Sequence, residues 1–418
     1  NHAARRHGCG PGHDGKPDCV PMPFNGRGVN GVGYAFAGAA TIDGVDGHDG
    51  HQHCKGDAGA AVLPALLAEL GGAPTCSLDE LLAHLIVGYE IAIRAGLSLH
   101  ATAPDYHSSG AWNALGCAAV AARLRRFSTE QTRHALGIAE YFGPRAQMMR
   151  CIDHPSMVKD STSWGAMTGI SAADLAESGF TGAPAITCEA ADVTSYWGDL
   201  GSHWRILETN FKAYPVCRWA HPPIEATLGL IRDHDIQPER ISDIVISTFH
   251  EAARLATTRP KDGDQAQYSL PLAVALALIH GTINPDHVLP GNYDRPEVWR
   301  LVDGVRIVEE AAYNAAFPAE RYADVTLTLS DGQRLSSGRM TARGNYDAPL
   351  PDQEILAKLE QYATPVLSKE RRAAIARILI TPERAPSPAE LVALLTPTRV
   401  SSSGARIDDQ QSPGSIRD

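Results

Sequence analysis

The densest group of ionisable residues lies in residues 43–57. This stretch reads Asp-Gly-Val-Asp-Gly-His-Asp-Gly-His-Gln-His-Cys-Lys-Gly-Asp. Its glycines predict a loop, and a helix with an apolar face, predicted over residues 58–70, would anchor that loop. Carboxylates and imidazoles placed side by side can shift each other's pKa toward neutrality, as general acid–base catalysis requires. We therefore predict a functional loop, against the simpler interpretation of a solvated polar segment.

The same loop contains side chains that could bind a metal ion. His48, His51, His53, Cys54 and the aspartates are all suitable ligands. Their spacing matches no standard zinc motif, and no second matching pair follows downstream. The prediction is therefore that no metal is bound, with a metal-dependent hydrolase kept as an alternative.

Three single residues outside the loop are further candidates. His107 precedes a small-residue helix predicted over residues 112–123. Lys159 precedes another such helix, whose first backbone N–H groups would favour a carboxylate. His221 is followed by two prolines that restrict the local backbone. Each also has an ordinary structural interpretation: a helix cap, an exposed lysine and a buried, satisfied histidine.

Composition excludes several classes of function. The 418 residues carry a net charge of −11, which argues against non-specific nucleic-acid binding, although a local basic pocket could still bind a small anion. No apolar run of about 18 residues predicts a membrane span, and no signal peptide is recognised. The eight cysteines are scattered, which fits a reduced, cytoplasmic protein.

Cofactor motifs are absent from the sequence. We find no nucleophile elbow, no P-loop and no zinc-protease helix motif. Residues 26–31 spell G-x-G-x-x-G, but no strand is predicted before them. The sequence therefore predicts no cofactor.

The elements that must position these residues form a mostly α-helical chain with a smaller α+β domain. Capping boxes begin helices at Ser77 and Ser128. Residues 241–249 and 322–329 favour strands, and the Asp331-Gly332 turn predicts a hairpin with residues 334–341. We predict an all-helical domain over residues 1–235 and an α+β domain over 236–350. Residues 351–397 would be helices returning to the helical domain, followed by a disordered tail over 398–418.

Seven segments, in order, resemble the MmgE/PrpD family over about residues 30–359. They are the D-x-(D/H)-D loop with Leu63-Pro-Ala-Leu, Tyr106-His-Ser-Ser-Gly, the lysine before Trp164-Gly-Ala, Gly179-Phe-Thr-Gly, Tyr214-Pro-x-Cys-x-x-x-His, Tyr268-Ser-Leu-Pro and Arg343-Gly-Asn-Tyr-Asp-Ala-Pro-Leu. The resemblance implies a two-domain architecture with the active site in the cleft, a homodimer and no cofactor. It also implies that an N-terminal helical segment of the family precedes this sequence.

The resemblance further implies a lyase that acts next to the carboxylates of a small polycarboxylic acid. A 2-methylcitrate dehydratase-like activity is the first expectation, and a decarboxylase or an epimerase is the alternative within the family. A catalytically inactive relative that acts as a binding protein is an alternative of another class. None of these readings involves nucleic acid or a membrane.

The family's catalytic positions fall on four residues of this sequence, which are Asp46, His107, Lys159 and His221. We expect His107 and Lys159 to bind and polarise a carboxylate, His221 to act as an acid or base, and Asp46 to orient or activate a neighbour such as His48. The expected substrate-binding residues are His48, His51, Lys55, Asp57 and Arg150.

Two positions depart from the family pattern. Gly50 stands where the family has threonine, and Asp57 stands where it has histidine. An aspartate anion would repel a substrate carboxylate. The sequence therefore leaves three possibilities: a neighbouring cation substitutes, the substrate has one carboxylate fewer, or the family activity is lost.

Overall fold

The computed structural model describes residues 20–24, 26–71, 76–381 and 387–396. Its first part is built from helices that pack on one another. Their bounds are α1 Gly31–Asp43, α2 Gly59–Glu69, α3 Leu78–Thr102, α4 Gly110–Leu124, α5 Thr129–Phe142, α6 Met149–Asp153, α7 Thr162–Glu177 and α8 Ile186–Glu189. The capping boxes predicted at Ser77 and Ser128 are both present.

Helix α4 lies at the centre of this part and is buried along nearly all of its length. Small residues make that possible. A Cβ atom on Gly116 would lie 2.5 Å from the backbone oxygen of Gly88 in α3, and one on Gly165 in α7 would lie 2.5 Å from the oxygen of Gly110. The helix axes therefore approach more closely than larger side chains would allow.

The first part also contains two short strand pairs, so the prediction of an all-helical domain over residues 1–235 is wrong in that detail. Strand β1 (Val20–Pro21) pairs with β2 (Gly28–Val29). Strand β3 (Asp49–His51) pairs antiparallel with β4 (Thr209–Phe211), which places Asp49 opposite Phe211. Strand β3 falls inside the predicted loop, where glycine and histidine gave no strand signal.

The α+β part has one four-stranded sheet in the order β6-β5-β7-β8. Its strands are β5 Ile241–Thr248, β6 Val305–Glu309, β7 Ala323–Leu329 and β8 Arg334–Ser336. β5 is parallel to β6 and antiparallel to β7, and β7 and β8 form the predicted hairpin. The helices of this part are α9 His221–His234, α10 His250–Ala253, α11 Gly263–Gln267, α12 Leu270–His280, α13 Pro296–Asp303 and α14 Ala311–Ala316. The apolar helix α12 is buried in the core beneath the sheet.

Three helices follow the sheet: α15 Asp352–Ala363, α16 Lys369–Ile380 and α17 Pro388–Leu395. Short 3₁₀ turns occupy Ala191–Tyr196, Arg205–Glu208, Arg218–Ala220, Pro238–Arg240 and Pro285–Val288. Helix α15 contacts the first part, because the ring of Tyr362 packs against Gly47. The predicted tail over 398–418 lies outside the described residues.

Helix α3 is long and apolar enough to cross a bilayer by length and composition alone. Half of its most apolar window is buried inside the protein, and it packs extensively on α4. A core helix passes the same test, so the expectation of no membrane span remains a prediction.

Candidate active site

A polar cavity lies where the loop of residues 43–57 meets the α+β part. Its volume is about 60 Å³, which is room for about four to six waters at roughly 10–15 Å³ each. Five predicted site residues line it: Asp46, His48, His51, Lys55 and Asp57. Ionisable residues that the sequence did not single out also line it, namely Asp49, Asp160, Lys212, Arg218, Tyr268 and Arg321.

The β3–β4 pairing brings the two halves of this cavity together. Asp46 and His48 precede β3, and Lys212 follows β4 directly. The backbone N–H of Lys212 donates to the carbonyl of His48, at 3.3 Å. Two residues that are distant in sequence, Asp46 and Lys212, are thereby held on the same wall.

Asp46 and Lys212 form a buried ion pair. Lys212 Nζ lies 2.6 Å from Asp46 Oδ1, and the two side chains are only 8% and 2% exposed, respectively. Burial favours a higher pKa for Asp46, but the charges of Lys212 and Lys159 and a hydrogen bond from His48 outweigh it and lower the pKa. Burial opposes the charge of Lys212, yet Asp46 raises its pKa overall. Both groups are therefore charged at neutral pH, and Asp46 Oδ2 has no hydrogen-bond partner among the described residues.

His48 bridges two carboxylates of the same loop. Its Nδ1 lies 2.7 Å from the backbone oxygen of Asp49, and its Nε2 lies 3.6 Å from Asp43 Oδ1 and 3.4 Å from Asp46 Oδ1. Burial and Lys212 lower the pKa of His48, but Asp57, Asp43 and Asp46 raise it well above its usual value. The raised pKa favours the imidazolium form of His48, in which both nitrogens carry a proton.

Asp43, Asp46 and His48 are also the group that could hold a metal ion, since their ligand atoms lie within 4.8 Å of one another. The donor set fits poorly. His48 would have to lose the proton that its neighbours stabilise, and Asp46 Oδ1 is already bound by Lys212. The prediction that no metal is bound remains a prediction.

Two buried guanidinium groups face the cavity from the other half. Arg218 donates from Nη2 to Asn345 Oδ1 at 2.6 Å, and Arg321 donates from Nη2 to the backbone oxygen of Gln52 at 2.9 Å. Burial, followed by the charge of Arg321, lowers the pKa of Arg218 to about 9. Neither arginine has an ion-pair partner within the described ranges. Buried cations without a counter-ion are suited to bind a ligand carboxylate.

His221 lies behind this arginine pair and does not line the cavity. Its Nδ1 is 3.2 Å from Arg218 Nη1 and its Nε2 is 3.2 Å from the backbone oxygen of Val216. Burial and Arg218 lower its pKa well below the usual value. His221 is therefore a neutral imidazole that accepts from Arg218, which is a positioning contact.

Lys159, His107 and Arg150 also lie outside the cavity wall. Lys159 is buried with its ammonium on Gln267 Oε1 and 3.2 Å from Asp264, although its charge reaches Asp46. His107 is buried, and burial and Arg145 lower its pKa. Arg150 lines a separate surface pocket together with Lys159.

His51 and Lys55 are in the cavity wall, but their polar atoms are engaged differently. His51 Nδ1 accepts from the N–H of Cys54 at 3.1 Å, and Nε2 lies 3.0 Å from Glu208. Burial lowers its pKa, so it is a neutral, structural histidine. The Tyr106 hydroxyl donates to the backbone carbonyl of Lys55. The ammonium of Lys55 lies 4.4 Å from the centre of the Tyr106 ring, so this ammonium remains available to a ligand.

The comparisons with known proteins cover most of the chain. The MmgE/PrpD N-terminal domain model matches residues 10–194, and the C-terminal domain model matches residues 214–380. A cis-aconitate decarboxylase-like protein, oryM, of Aspergillus oryzae is 23% identical over 409 residues, covering 87% of this chain and 82% of that protein. The cis-aconitate decarboxylases of Mus musculus and Homo sapiens are 23% and 24% identical, and each match covers 85% of this chain and 75% of the relative. With both domains matched in order, the chain belongs to the MmgE/PrpD family.

Proposed function

We propose that this protein is a lyase that makes or breaks a bond next to a carboxylate of a small polycarboxylic acid, without a cofactor. The observation that carries the proposal is the cavity itself. It combines a buried Asp46–Lys212 ion pair, 2.6 Å apart, with two buried guanidinium groups that have no ion-pair partner in the described part of the chain. The first supplies proton transfer and charge stabilisation, and the second supplies carboxylate binding.

The ion pair changes its properties when a carboxylate enters. A substrate carboxylate near Arg218 and Arg321 also competes with Asp46 for the ammonium of Lys212. Losing part of that contact raises the pKa of Asp46, since Lys212 is the largest influence that lowers it. Asp46 then becomes a better base for a proton on the carbon next to the carboxylate, while Lys212 stabilises the enolate-like charge that develops.

Two reactions within this class are the principal candidates. The sequence predicts dehydration, as in 2-methylcitrate dehydratase. The curated relatives are named cis-aconitate decarboxylases, which favours decarboxylation. Both reactions pass through negative charge next to a carboxylate, so the same cations serve either, and epimerisation would need the same proton abstraction.

Proton NMR in deuterated water distinguishes these reactions. The protein is mixed separately with 2-methylcitrate, citrate, cis-aconitate, malate and iminodisuccinate. A new vinyl product without loss of carbon indicates dehydration, loss of carbon dioxide indicates decarboxylation, and exchange of an alpha proton alone indicates epimerisation. A catalytically inactive binding protein would convert none of the five acids but would still broaden the lines of an acid that it binds.

The variant Arg218→Met tests the carboxylate site in the same assay. Methionine keeps the length and the apolar contacts of the arginine side chain but removes its guanidinium. We expect the KM for any acid that reacts to rise at least about tenfold, the scale of a lost charge-assisted hydrogen bond. An unchanged KM would contradict the assignment of the arginine pair as the carboxylate site. Metal analysis of the purified protein tests the hydrolase alternative, which requires a stoichiometric metal ion.

We also propose that the protein acts as a homodimer in the cytoplasm. Large apolar side chains are exposed around one surface pocket: Met157 is 90% exposed, Val158 66% and Trp164 52%. Such a patch on a protein surface commonly marks a contact between protein chains. Light scattering tests this, with Trp164→Glu as the disrupting variant, and a monomer at all concentrations would refute it. The six cysteines of the described residues have free thiols, which supports a reducing compartment.

A further inference from the structure

Ser109 stands between two carboxyl groups at the cavity. Its Oγ is 3.1 Å from Asp57 Oδ1 and 3.2 Å from Asp160 Oδ2. The backbone N–H of Asp57 also donates to this oxygen, at 3.2 Å. Asp57 and Ser109 are each 1% exposed, and both aspartates line the cavity.

If each of the two carboxyl–serine contacts is a hydrogen bond with its own proton, one of the two acids must be protonated. A serine hydroxyl has one proton to donate and two lone pairs to accept. One lone pair accepts from the Asp57 N–H, and the single proton goes to one carboxylate. The other carboxyl can form its contact only by donating, which requires that it be protonated.

We propose that Asp57, Ser109 and Asp160 form a proton store that supplies the proton consumed in the lyase reaction. This inference rests on the proposed function. The three residues come from different elements, since Asp57 precedes α2, Ser109 precedes α4 and Asp160 precedes α7. The store therefore exists only in the assembled helical part.

The surroundings hold that proton at neutral pH. Burial raises the pKa of Asp57 to about 7, and burial together with Asp43 raises the pKa of Asp160 to about 6. His48 and Lys212 act in the opposite direction. The other titratable groups that face the pair are Asp46, Asp49, Cys54, Tyr89, Tyr106, Cys151, Cys217 and Tyr268.

One carboxyl oxygen of the store is free to meet a substrate. Asp57 Oδ2 is buried and has no hydrogen-bond partner among the described residues. When the proton of the store lies on Oδ2, Asp57 is neutral and can donate to a substrate oxygen, while its Oδ1 accepts from Ser109. Under this proposal, the expected repulsion of a substrate carboxylate by Asp57 applies only when Asp57 is ionised.

The proton balance of the step is simple. When the bond breaks, the proton passes from the store to the atom that receives the electron pair. That atom is the hydroxyl oxygen that leaves as water, or the carbon left after carbon dioxide departs. Both carboxyls are then ionised. In a dehydration, Asp46 releases the proton that it removed from carbon, which restores the store through the solvent with no net proton consumed. In a decarboxylation, the store takes one proton from the solvent in each turnover.

The central test compares Asp57→Asn with the wild type across pH 5–9. An amide donates a hydrogen bond at every pH but cannot release its proton. We expect turnover at pH 6.5 to fall about 100-fold, within the range for loss of a general acid, and the decline of wild-type turnover above about pH 7 to disappear. Binding of tricarballylate, an acid with no leaving group, should weaken above pH 7 in the wild type but stay constant in the variant.

Ser109→Ala and Asp105→Asn complete the set. Ser109→Ala separates the two acids and should lower turnover, whereas Asp105→Asn changes an exposed acid outside the cavity and should leave it unchanged. Wild-type turnover and an unaltered pH profile in Asp57→Asn would overturn the proposal.

A measurement that needs no substrate separates this inference from the proposed function. Infrared spectroscopy of the wild type at pH 6 should show the C=O stretch of a protonated carboxyl group, and Asp57→Asn should shift or remove it. If that band is present while none of the five acids reacts, the lyase proposal fails and the store remains. If the band is absent, or is identical in Asp57→Asn, the store is refuted.

Discussion

Replacing Lys212 by methionine should separate the structural and the catalytic roles of the buried ion pair. Methionine keeps the length and the apolar stem of lysine but removes the ammonium that lies 2.6 Å from Asp46 Oδ1. Asp46 then has only the imidazolium of His48, at 3.4 Å, as a close cation. The change leaves a buried carboxylate that is incompletely compensated.

The expected loss of stability follows from that geometry. Removing one partner of a buried pair destabilises a protein by about 3–5 kcal/mol, and the remaining His48 contact places this case near the lower end, at about 3 kcal/mol. Turnover should fall about 100- to 1000-fold, the scale of losing one preorganised charge at the reacting centre.

Urea denaturation and the NMR turnover assay measure the two effects. The double variant Asp46→Asn/Lys212→Met removes both charges, so it should regain most of the lost stability without regaining activity. Lys159→Met is the matched comparison, since its ammonium contacts Asp264 and Gln267 outside the cavity wall. It should lose less turnover than Lys212→Met, and a larger loss for Lys159→Met would refute our choice of Lys212 as the cavity cation.

Two further predictions concern residues that support the site and the core. Lys358 Nζ donates to the backbone oxygens of Gly47 and Lys212; Lys358→Met should therefore lower turnover about tenfold, whereas Lys358→Arg should retain more of it. Burial, followed by the charge of Lys212, lowers the pKa of Lys358 to about 8, so any alkaline limb near pH 8 should be absent from the methionine variant. A Cβ on Gly137 would lie 1.7 Å from a backbone oxygen, so Gly137→Ala should destabilise the protein by at least about 1–3 kcal/mol in thermal melts. Gly229→Ala, in an open helical position, should instead be neutral or stabilising by about 0.5–1 kcal/mol.

The fold could be predicted from the sequence largely because its helices carry strong local signals. The capping boxes at Ser77 and Ser128 each mark the first turn of an observed helix. Helix α12 ends at Gly281, whose φ is 65°, a left-handed conformation in which glycine commonly ends a helix. Such signals involve residues within one turn of each other, which a sequence displays directly.

The site could be predicted only where its residues are neighbours in sequence. Asp46, His48 and Asp57 were found because they lie in one dense segment. Lys212 is not singled out by the sequence, since nothing local reveals a partner 166 residues away. Arg321 has no motif around it, and it enters the cavity only because the chain folds back.

Asp160 was overlooked for a different reason. It follows Lys159 directly, and the sequence favoured the lysine as the functional cation. The chain turns sharply there, with φ of 43° at Lys159 and 54° at Ser161, so consecutive side chains point to different places. Left-handed backbone at residues other than glycine is uncommon, and no sequence pattern announces it.

The three-residue pairing of β3 with β4 has a consequence for how this chain matures. Asp46 lies within the N-terminal family match, and Lys212 lies between the two matches, which cover residues 10–194 and 214–380. Neither matched segment alone contains both charges. The entropic cost of closing so long a loop grows only with the logarithm of its length, so the β3–β4 pairing costs little free energy. During synthesis, however, this pairing cannot form until residues 209–212 have been made. Catalytic activity therefore requires that the two matched segments have assembled. A polypeptide cut between these segments would regain activity only after its two pieces reassemble.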